Sequence, residues 1–225
     1  MTTLRALVDL RDRTLQKSRI QFGNRISAIE RGSDQADGAT NELITRWQER
    51  FDALEAEADR DIAALVKDRP IVKAMTQVRG VGFLLAAKVV AMIDIERAAT
   101  VSALWRYCGY AVMDGERERP TKGEKLHYNS RLKTTCYLVG TSFLRSNSPY
   151  RKIYDLAREY YAANRPDWTE GHRHNAAMRK MIKVWLAHLW VIWRTLEALP
   201  VRVLYVMEKL SHTHYRTPQE FGWPG

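Results

Sequence analysis

The fold is decided by residues 78–90, which read Val-Arg-Gly-Val-Gly-Phe-Leu-Leu-Ala-Ala-Lys-Val-Val. The residues before this stretch, 70–77, can form a short helix, and residues 83–92 form a strong one because they are apolar and contain no helix breaker. Two helices joined by a glycine-rich turn are the arrangement of a helix–hairpin–helix motif. The sequence therefore predicts such a motif, with its turn at Gly80 and Gly82.

The predicted turn has the chemistry of a phosphate-binding loop. Glycine allows backbone angles that side chains forbid, so Gly80 and Gly82 let the chain approach another backbone closely. Val81 is expected to point inward and anchor the turn in the core. The free amide groups at the start of the second helix then face outward, where the helix dipole helps them to hold a phosphate. Arg79 and Lys88 would add positive charge. The alternative is a glycine-rich turn without a ligand.

The excess of positive over negative charge lies entirely in the later part of the chain. Residues 1–67 contain 11 Lys and Arg against 12 Asp and Glu, whereas residues 68–225 contain 25 against 14, which accounts for the net charge of +10. A basic domain favours polyanions, because each phosphate that it neutralises releases counterions. Charge alone is equally compatible with a basic protein that has no nucleic-acid partner.

The first 67 residues predict two amphipathic helices. Apolar side chains recur at helical spacing in residues 3–31 and again in residues 41–67, and a break at residues 32–38 separates the two segments. Thr40 or Asn41 is expected to cap the second helix. Such a pair forms an antiparallel, coiled-coil-like hairpin or a seam for another copy of the chain, so we expect a homo-oligomer.

The rest of the chain predicts further helices, at residues 129–147, 149–164 and 172–198. No stretch of any length shows the alternation of a strand, so the expected fold class is all-α. We divide the chain into an N-terminal helical hairpin (1–67), a helix–hairpin–helix domain (68–200) and a loosely packed C-terminal tail (201–225).

Composition places the protein in a reducing compartment. The two cysteines, Cys108 and Cys136, both lie in apolar stretches and are interpreted as small core residues. No apolar run approaches the roughly 18 residues needed to span a bilayer, and the first residues lack the apolar core of a signal peptide. We therefore expect a soluble, cytoplasmic protein that does not interact with a membrane.

The sequence indicates neither a metal site nor a cofactor. Two His-X-His pairs occur, His172 with His174 and His212 with His214. Residues two positions apart on a helix do not share a face, and no neighbouring carboxylate or thiol set completes a tetrahedron around either pair.

A second candidate for nucleic-acid binding is the basic loop that follows the hairpin. Six cations fall within 17 residues, and they are Arg117, Arg119, Lys122, Lys125, Arg131 and Lys133. His127 and Tyr128 in the same stretch could stack on bases. The loop is thus interpreted as a grip for a DNA or RNA strand, with a solvated charged loop as the alternative.

Three motifs along the chain resemble one family. Residues 78–86 contain its Gly-Val-Gly hairpin, residues 92–97 are similar to its Ile-Gly-Asp-Ile-x-Arg-Phe stretch, and residues 102–110 are similar to its Leu-x-x-Tyr-x-Gly-Leu helix. Residues 129–133 resemble its Gly-Asn-x-x-Leu-Arg helix, with Tyr128 where glycine is usual. The chain thus resembles the C-terminal domain of DEDD-type insertion-sequence transposases, the relatives of the pilin-gene invertases, over about residues 1–200.

The resemblance implies a DNA-binding protein of a mobile element that takes part in transposition or recombination. The sequence does not distinguish DNA from RNA, so structured RNA is a further candidate partner. The family's RuvC-like domain, with its four acidic metal ligands, is not found in this sequence. Its nucleophilic serine, part of a Ser-Gly pair, also lacks a counterpart, because residues 114–119 contain no serine. Thr121 and Ser130 are the nearest hydroxyls, and neither precedes a glycine.

Three interpretations of function therefore remain. The first is a transposase-like recombinase. The second is a non-catalytic structural or regulatory DNA-binding protein derived from a transposase, and the third is a scaffold that binds only proteins.

Overall fold

The computed structural model describes residues 2–112, 122–123, 125–201 and 216–225. The regular structure in these residues is helical and includes no strand, so the predicted all-α class is confirmed. The chain forms two compact units, Met1–Lys67 and Asp68–Gly225. Within the described ranges, no helix combines the length and the apolar character that a membrane span requires.

The first unit consists of α1 (Thr2–Leu10), a π-helical turn (Arg11–Leu15), α2 (Gln16–Glu30) and α3 (Gly38–Val66). Asp37, not Thr40 or Asn41, caps α3: its Oδ1 accepts a hydrogen bond of 2.6 Å from the backbone amide of Thr40. This bond lowers the pKa of the Asp37 carboxyl. The predicted cap was wrong by three or four residues because Asp37 is the last residue with extended backbone angles.

Ion pairs and ring contacts join α3 to the segments before it. Arg11 bonds Asp59, with its Nε 2.8 Å from Oδ1, and Arg19 bonds Glu55, with its Nε 2.6 Å from Oε2. Phe22 stacks on Phe51, with ring centroids 5.6 Å apart. Successive partners on the two segments therefore run in opposite directions along the chain.

The second unit contains six α-helices in the described residues and a short 3-10 helix, Pro218–Phe221. The α-helices are α4 (Pro70–Gln77), α5 (Phe83–Met92), α6 (Val101–Tyr107), α7 (Ser130–Arg145), α8 (Arg151–Asn164) and α9 (Glu170–Leu196). The core of this unit lies around α9, whose Trp185 and Trp190 are fully buried. The indole of Trp190 donates a 2.7 Å hydrogen bond to the carbonyl of Ala98, which satisfies its polar group inside the core.

Residues 216–225, at the end of the chain, pack into the second unit. The sequence predicted a loosely packed tail here, and this part of the tail is not loose. Phe221 stacks on Tyr150 with ring centroids 4.5 Å apart, and the indole of Trp223 donates a 2.7 Å hydrogen bond to the Tyr150 hydroxyl. That hydroxyl lies 2.6 Å from Nδ1 of His188, whose Nε2 donates to the carbonyl of Arg216. Two buried aromatic rings and a chain of hydrogen bonds thus fasten the C-terminus.

Candidate nucleic-acid interface

The glycine-rich stretch forms a tight turn between α4 and α5. The amide of Val81 donates a 3.0 Å hydrogen bond to the carbonyl of Val78, and Gly80 holds the third position of this turn with a φ of 102°. Such a positive φ at that position strongly favours glycine. Val81 is buried, at 4% exposure, so its predicted role as an inward anchor is confirmed.

Gly80 is held against the C-terminal end of α7. The hydroxyl of Ser142 donates a 2.7 Å hydrogen bond to its carbonyl oxygen. A Cβ atom at this position would lie 2.6 Å from Oγ of Ser146 and 3.2 Å from the ring of Phe143. The absence of a side chain is thus required both by the backbone angle and by the space available.

Gly82 has a different role from the one that sequence suggested. Its φ of −87° and ψ of 169° are open to any residue, and a Cβ there would have no neighbour within 4 Å. The expectation that Gly82 supplies forbidden backbone angles was therefore wrong. Gly82 is the exposed N-cap residue of α5, and it has no side chain with which to bond the amides of the first turn.

The start of α5 therefore presents backbone amides that no side-chain cap covers. The first-turn residues are at least partly accessible, and Phe83 is 45% exposed. Free amides at a helix start, together with the helix dipole, bind anions. Arg79 lies exposed in the adjoining turn, and Arg145 is exposed in the last turn of α7.

Lys88 is not part of this surface. It is only 7% exposed, because the second half of α5 is buried on every side. A helix that is apolar all round is buried, and Lys88 shares the buried environment of its neighbours. Burial therefore makes Lys88 unavailable for the phosphate contact that the sequence suggested.

Asn129 organises a second region, at the start of α7. Its Oδ1 accepts a 3.1 Å hydrogen bond from the amide of Leu132 and so caps the helix. Its backbone amide donates to the carbonyl of Tyr107 at 2.9 Å, and its side-chain amide donates to the Tyr107 hydroxyl at 3.2 Å. That hydroxyl in turn donates to the carbonyl of Met92 at 3.0 Å. The ends of α5 and α6 are thus linked to the beginning of α7.

Tyr128 is buried and unavailable for the base stacking that the sequence suggested. The ring is 9% exposed, and the ammonium group of Lys133 lies 4.4 Å from its centroid. Gly109, with a φ of 73°, packs against both side chains, and a Cβ on it would lie 2.8 Å from the tyrosine ring. Lys133 therefore interacts within the protein, which reduces its availability to a ligand.

An open pocket of about 480 Å³ lies beside this region. It is lined by Arg106, Tyr107, Lys125, Leu126, His127, Tyr128 and Asn129. The ring of Tyr107 is 40% exposed, and Arg106, Lys125 and His127 are exposed. Partly exposed aromatic rings next to cations suit a ligand that has a flat ring and a negative charge, such as a nucleotide.

The two regions lie at opposite ends of α5. The uncapped amides follow Gly82, whereas the pocket is tied to Met92 through the Tyr107 hydroxyl. The ten residues of α5 span about 15 Å at 1.5 Å per residue. The described residues of the second unit thus offer two candidate contacts for a polyanion.

The remaining predicted residues are only partly described. Lys122 is exposed and Arg131 is half-buried. Ser130 is exposed in the first turn of α7, and its carbonyl accepts a hydrogen bond from the hydroxyl of Thr134. Arg117, Arg119 and Thr121 lie outside the described residues.

The histidine pairs interact with aromatic side chains where they are described. His172 stacks on Trp168 with ring centroids 3.9 Å apart, and Nδ1 of His174 lies 2.7 Å from the Tyr154 hydroxyl. His212 and His214 lie outside the described residues. In the described part of the chain, no three His, Cys, Asp or Glu residues are placed to hold a metal ion.

Sequence reasoning did not identify Arg106, Tyr107 or Asn129 as parts of one pocket. A signal was present, because Tyr107 and Asn129 both fall in motifs that carry the family resemblance. Only the folded chain shows that these two residues, 22 positions apart, are hydrogen-bonded.

A comparison with protein-family models and with curated protein sequences finds no match to this chain.

Proposed function

We propose that the second unit is a nucleic-acid-binding domain that holds backbone phosphate at the start of α5. The observation that carries this proposal is the exposed, uncapped N-terminus at Gly82, next to a turn that Ser142 and the packing around Gly80 fix in place. A fixed set of amides has little conformational freedom to lose when it binds an anion, which favours affinity.

The charge of the unit supports a polyanion as the ligand. Residues 68–225 contain 25 Lys and Arg against 14 Asp and Glu, and Arg79 adds an exposed cation to the turn itself. Contacts to phosphate position a nucleic acid but do not read its sequence. The start of α5 is therefore expected to bind DNA of any sequence.

The pocket at Tyr107 supplies the second contact. α5, which separates Gly82 from the Met92 carbonyl that the Tyr107 hydroxyl bonds, is about 15 Å long, which corresponds to roughly four steps of duplex at 3.4 Å each. An aromatic ring beside Arg106 and Lys125 is accessible only to a base that is not stacked in a duplex. The domain is therefore expected to prefer DNA with a single-stranded or distorted segment, and structured RNA is the alternative ligand.

The resemblance to transposase C-terminal domains supports a role in transposition or recombination of a mobile element, in the cytoplasm. Whether the protein also performs strand transfer depends on a nucleophile, for which Thr121 and Ser130 are the candidates. The second candidate function, a non-catalytic DNA-binding protein, is favoured by the lack of serine in residues 114–119. Strand cleavage that is lost in Thr121→Ala or Ser130→Ala would support the catalytic function, whereas no cleavage by the wild type would support the second.

Binding to labelled duplex DNA, single-stranded DNA and structured RNA, measured by fluorescence anisotropy over a range of salt concentrations, tests the proposal. A phosphate-binding domain should lose affinity linearly in a plot of log K against log salt. Arg79→Glu and Lys125→Glu should weaken binding, whereas Arg60→Glu on α3, with the same change of charge, should not. If none of the three nucleic acids binds at low salt, the proposal is contradicted, and a scaffold that binds only proteins becomes the favoured interpretation.

A further inference from the structure

A stripe of exposed apolar side chains runs along α3 in the first unit. Leu43, Trp47, Leu54 and Leu65 are 45%, 41%, 46% and 47% exposed. Their separations of four, seven and eleven residues place them within about 40° of one another around a helix of 3.6 residues per turn. These four residues form what we call the α3 stripe.

The α3 stripe lies beside the face that α3 buries, since Ala58 is only about 20° from Trp47 and Leu65 around the helix. The buried positions of α3 are Glu55, Ala58, Ile62 and Val66, and Glu55 contacts Arg11 and Arg19 of the preceding segments. α3 thus has one broad apolar surface, of which the part around Ala58 is covered and the part along the stripe is exposed. Such an elongated exposed apolar surface indicates an interaction site.

The charged residues beside the stripe are arranged with opposite signs at its two ends. Arg46 and Arg50 precede Leu54, and Glu57 and Asp61 follow it. All four side chains are exposed, and none makes an ion pair within the part of the chain that the structure describes. The guanidinium group of Arg50 lies 5.0 Å from the ring centroid of Trp47, so it already borders the apolar surface.

From this arrangement we infer that the α3 stripe binds the same stripe of a second copy of this chain, with the two α3 helices antiparallel about a two-fold axis at Leu54. Leu43 lies eleven residues before Leu54 and Leu65 lies eleven residues after it. The two-fold axis therefore places Leu54 against Leu54, and Leu43 of each copy against Leu65 of the other. A surface of this kind is self-complementary, as a two-fold interface must be.

The charges select this direction. Antiparallel helices bring Arg46 and Arg50 of one copy beside Glu57 and Asp61 of the other, because the two-fold axis sets the same charged edge of both helices face to face. In a parallel pair the charged edge of each helix would face the opposite edge of the other, and these ion pairs would not form. Asp61 also falls opposite Trp47, whose indole N–H can donate to a carboxylate. Because both signs are equally represented along the stripe, a copy of the chain fits it better than a nucleic acid or an anionic lipid surface does.

The size of the surface sets the strength of the dimer. From Leu43 to Leu65 the helix rises about 33 Å, and at a helix diameter of about 10 Å the seam covers on the order of 330 Å² per copy. Stable complexes bury roughly 800 Å² per partner. The dimer should therefore be reversible and depend on protein concentration. This inference does not depend on nucleic-acid binding.

Sedimentation equilibrium of the full-length protein at concentrations up to several hundred micromolar tests the dimer. Wild type should shift from monomer to dimer as its concentration rises. Leu54→Glu places two carboxylates on the axis and should weaken dimerisation at least tenfold, whereas Ala56→Glu, an equal charge on another face of α3, should leave it unchanged. Circular dichroism should show the same helix content in all three proteins. A wild type that stays monomeric throughout, or equal dimerisation by Leu54→Glu, contradicts the proposal.

Disulfide cross-linking tests the direction of the two helices. Leu54→Cys should form a cross-linked dimer on mild oxidation, whereas Ala56→Cys should not, and the native Cys108 and Cys136 are both buried. Leu43→Cys alone should remain uncross-linked but should link to Leu65→Cys when the two variants are mixed. Efficient cross-linking of Leu43→Cys to itself would show parallel helices and overturn the two-fold arrangement.

Discussion

The hydroxyl of Ser142 donates a 2.7 Å hydrogen bond to the carbonyl oxygen of Gly80, across 62 positions of the chain. This bond fastens the turn between α4 and α5 to the C-terminal end of α7. The turn therefore belongs to the packed structure of the second unit. It can hold the first amides of α5 in one orientation, as the proposed phosphate contact requires.

The two glycines of the turn should respond differently to substitution. Gly80→Ala should lower the free energy of unfolding by about 1–3 kcal/mol, because alanine is strained at a φ of 102° and its Cβ would meet Ser146 and Phe143. Gly82→Ala should change it by less than about 0.5 kcal/mol, since its backbone angles are ordinary and its Cβ has space. Urea denaturation of both variants checks this, and equal losses would contradict the geometry described for the turn.

Asn129 should contribute through its cap and through its bond to Tyr107, and two variants separate these effects. Asn129→Ala removes both and should cost about 1–2 kcal/mol of unfolding free energy. Asn129→Asp keeps an oxygen for the amide of Leu132 but cannot donate to the Tyr107 hydroxyl, so its loss should be smaller. Thermal and urea denaturation measure both. A larger loss for the aspartate variant would show that the cap is not the main contribution.

The buried histidine should make stability depend on pH. Burial lowers the pKa of His188 to about 4, although its bond to the Arg216 carbonyl acts in the opposite direction. The unfolded chain, with a histidine pKa near 6.5, binds more protons between these values. The stabilisation is therefore complete above about pH 6.5 and is lost as the pH falls towards 4, by on the order of 3 kcal/mol.

Urea denaturation between pH 7.5 and pH 4.5 measures this dependence. His188→Gln removes the titrating group, so the stability difference between wild type and variant should shrink as the pH falls. The carboxylates titrate in both proteins and cancel in the comparison. A difference that stays constant over this range would show that His188 is not held neutral in the folded protein.

Local sequence patterns were sufficient to place the helices and the turn. Apolar periodicity predicted α3 and α9 to within a few residues, and the glycines located the turn between α4 and α5. The exposure of single side chains could not be predicted in this way. Lys88 and Tyr128 are polar residues in a basic chain, and their burial depends on how distant segments pack around them.

The pocket and the C-terminal contacts could not be predicted from sequence for the same reason. The bond between Asn129 and Tyr107 and the bond between Trp223 and Tyr150 join residues that are far apart along the chain. The exposed apolar positions of α3 were visible in the sequence as part of an amphipathic helix. Only the structure separates the residues that α3 buries from those that it exposes.

Tyr107 should contribute to the binding of unpaired bases. Tyr107→Ala should weaken binding of single-stranded DNA by about 5- to 150-fold, since stacking of one base is worth about 1–3 kcal/mol. Tyr137→Ala serves as the control, because this tyrosine is similarly exposed, at 39%, and does not line the pocket. Tyr107→Phe keeps the ring and should keep most of the affinity. Equal binding by Tyr107→Ala and wild type, with both folded, would remove the pocket from the interface.

The amides that follow Gly82 form the proposed phosphate site, and replacing Gly82 by aspartate tests them directly. An aspartate at the N-cap position would bond the first-turn amides with its own carboxylate, where it should preserve or slightly raise stability. The same carboxylate would occupy and repel the site of a phosphate. Gly82→Ala adds only a methyl group, which neither bonds the amides nor repels a phosphate, and it serves as the matched control.

The decisive measurement is the affinity of wild type, Gly82→Asp and Gly82→Ala for one labelled DNA at one low salt concentration. We expect Gly82→Asp to bind at least about tenfold more weakly, although it unfolds at the same or a higher urea concentration, and we expect Gly82→Ala to bind as wild type does. Wild-type affinity in the aspartate variant would contradict the claim that the start of α5 holds a phosphate.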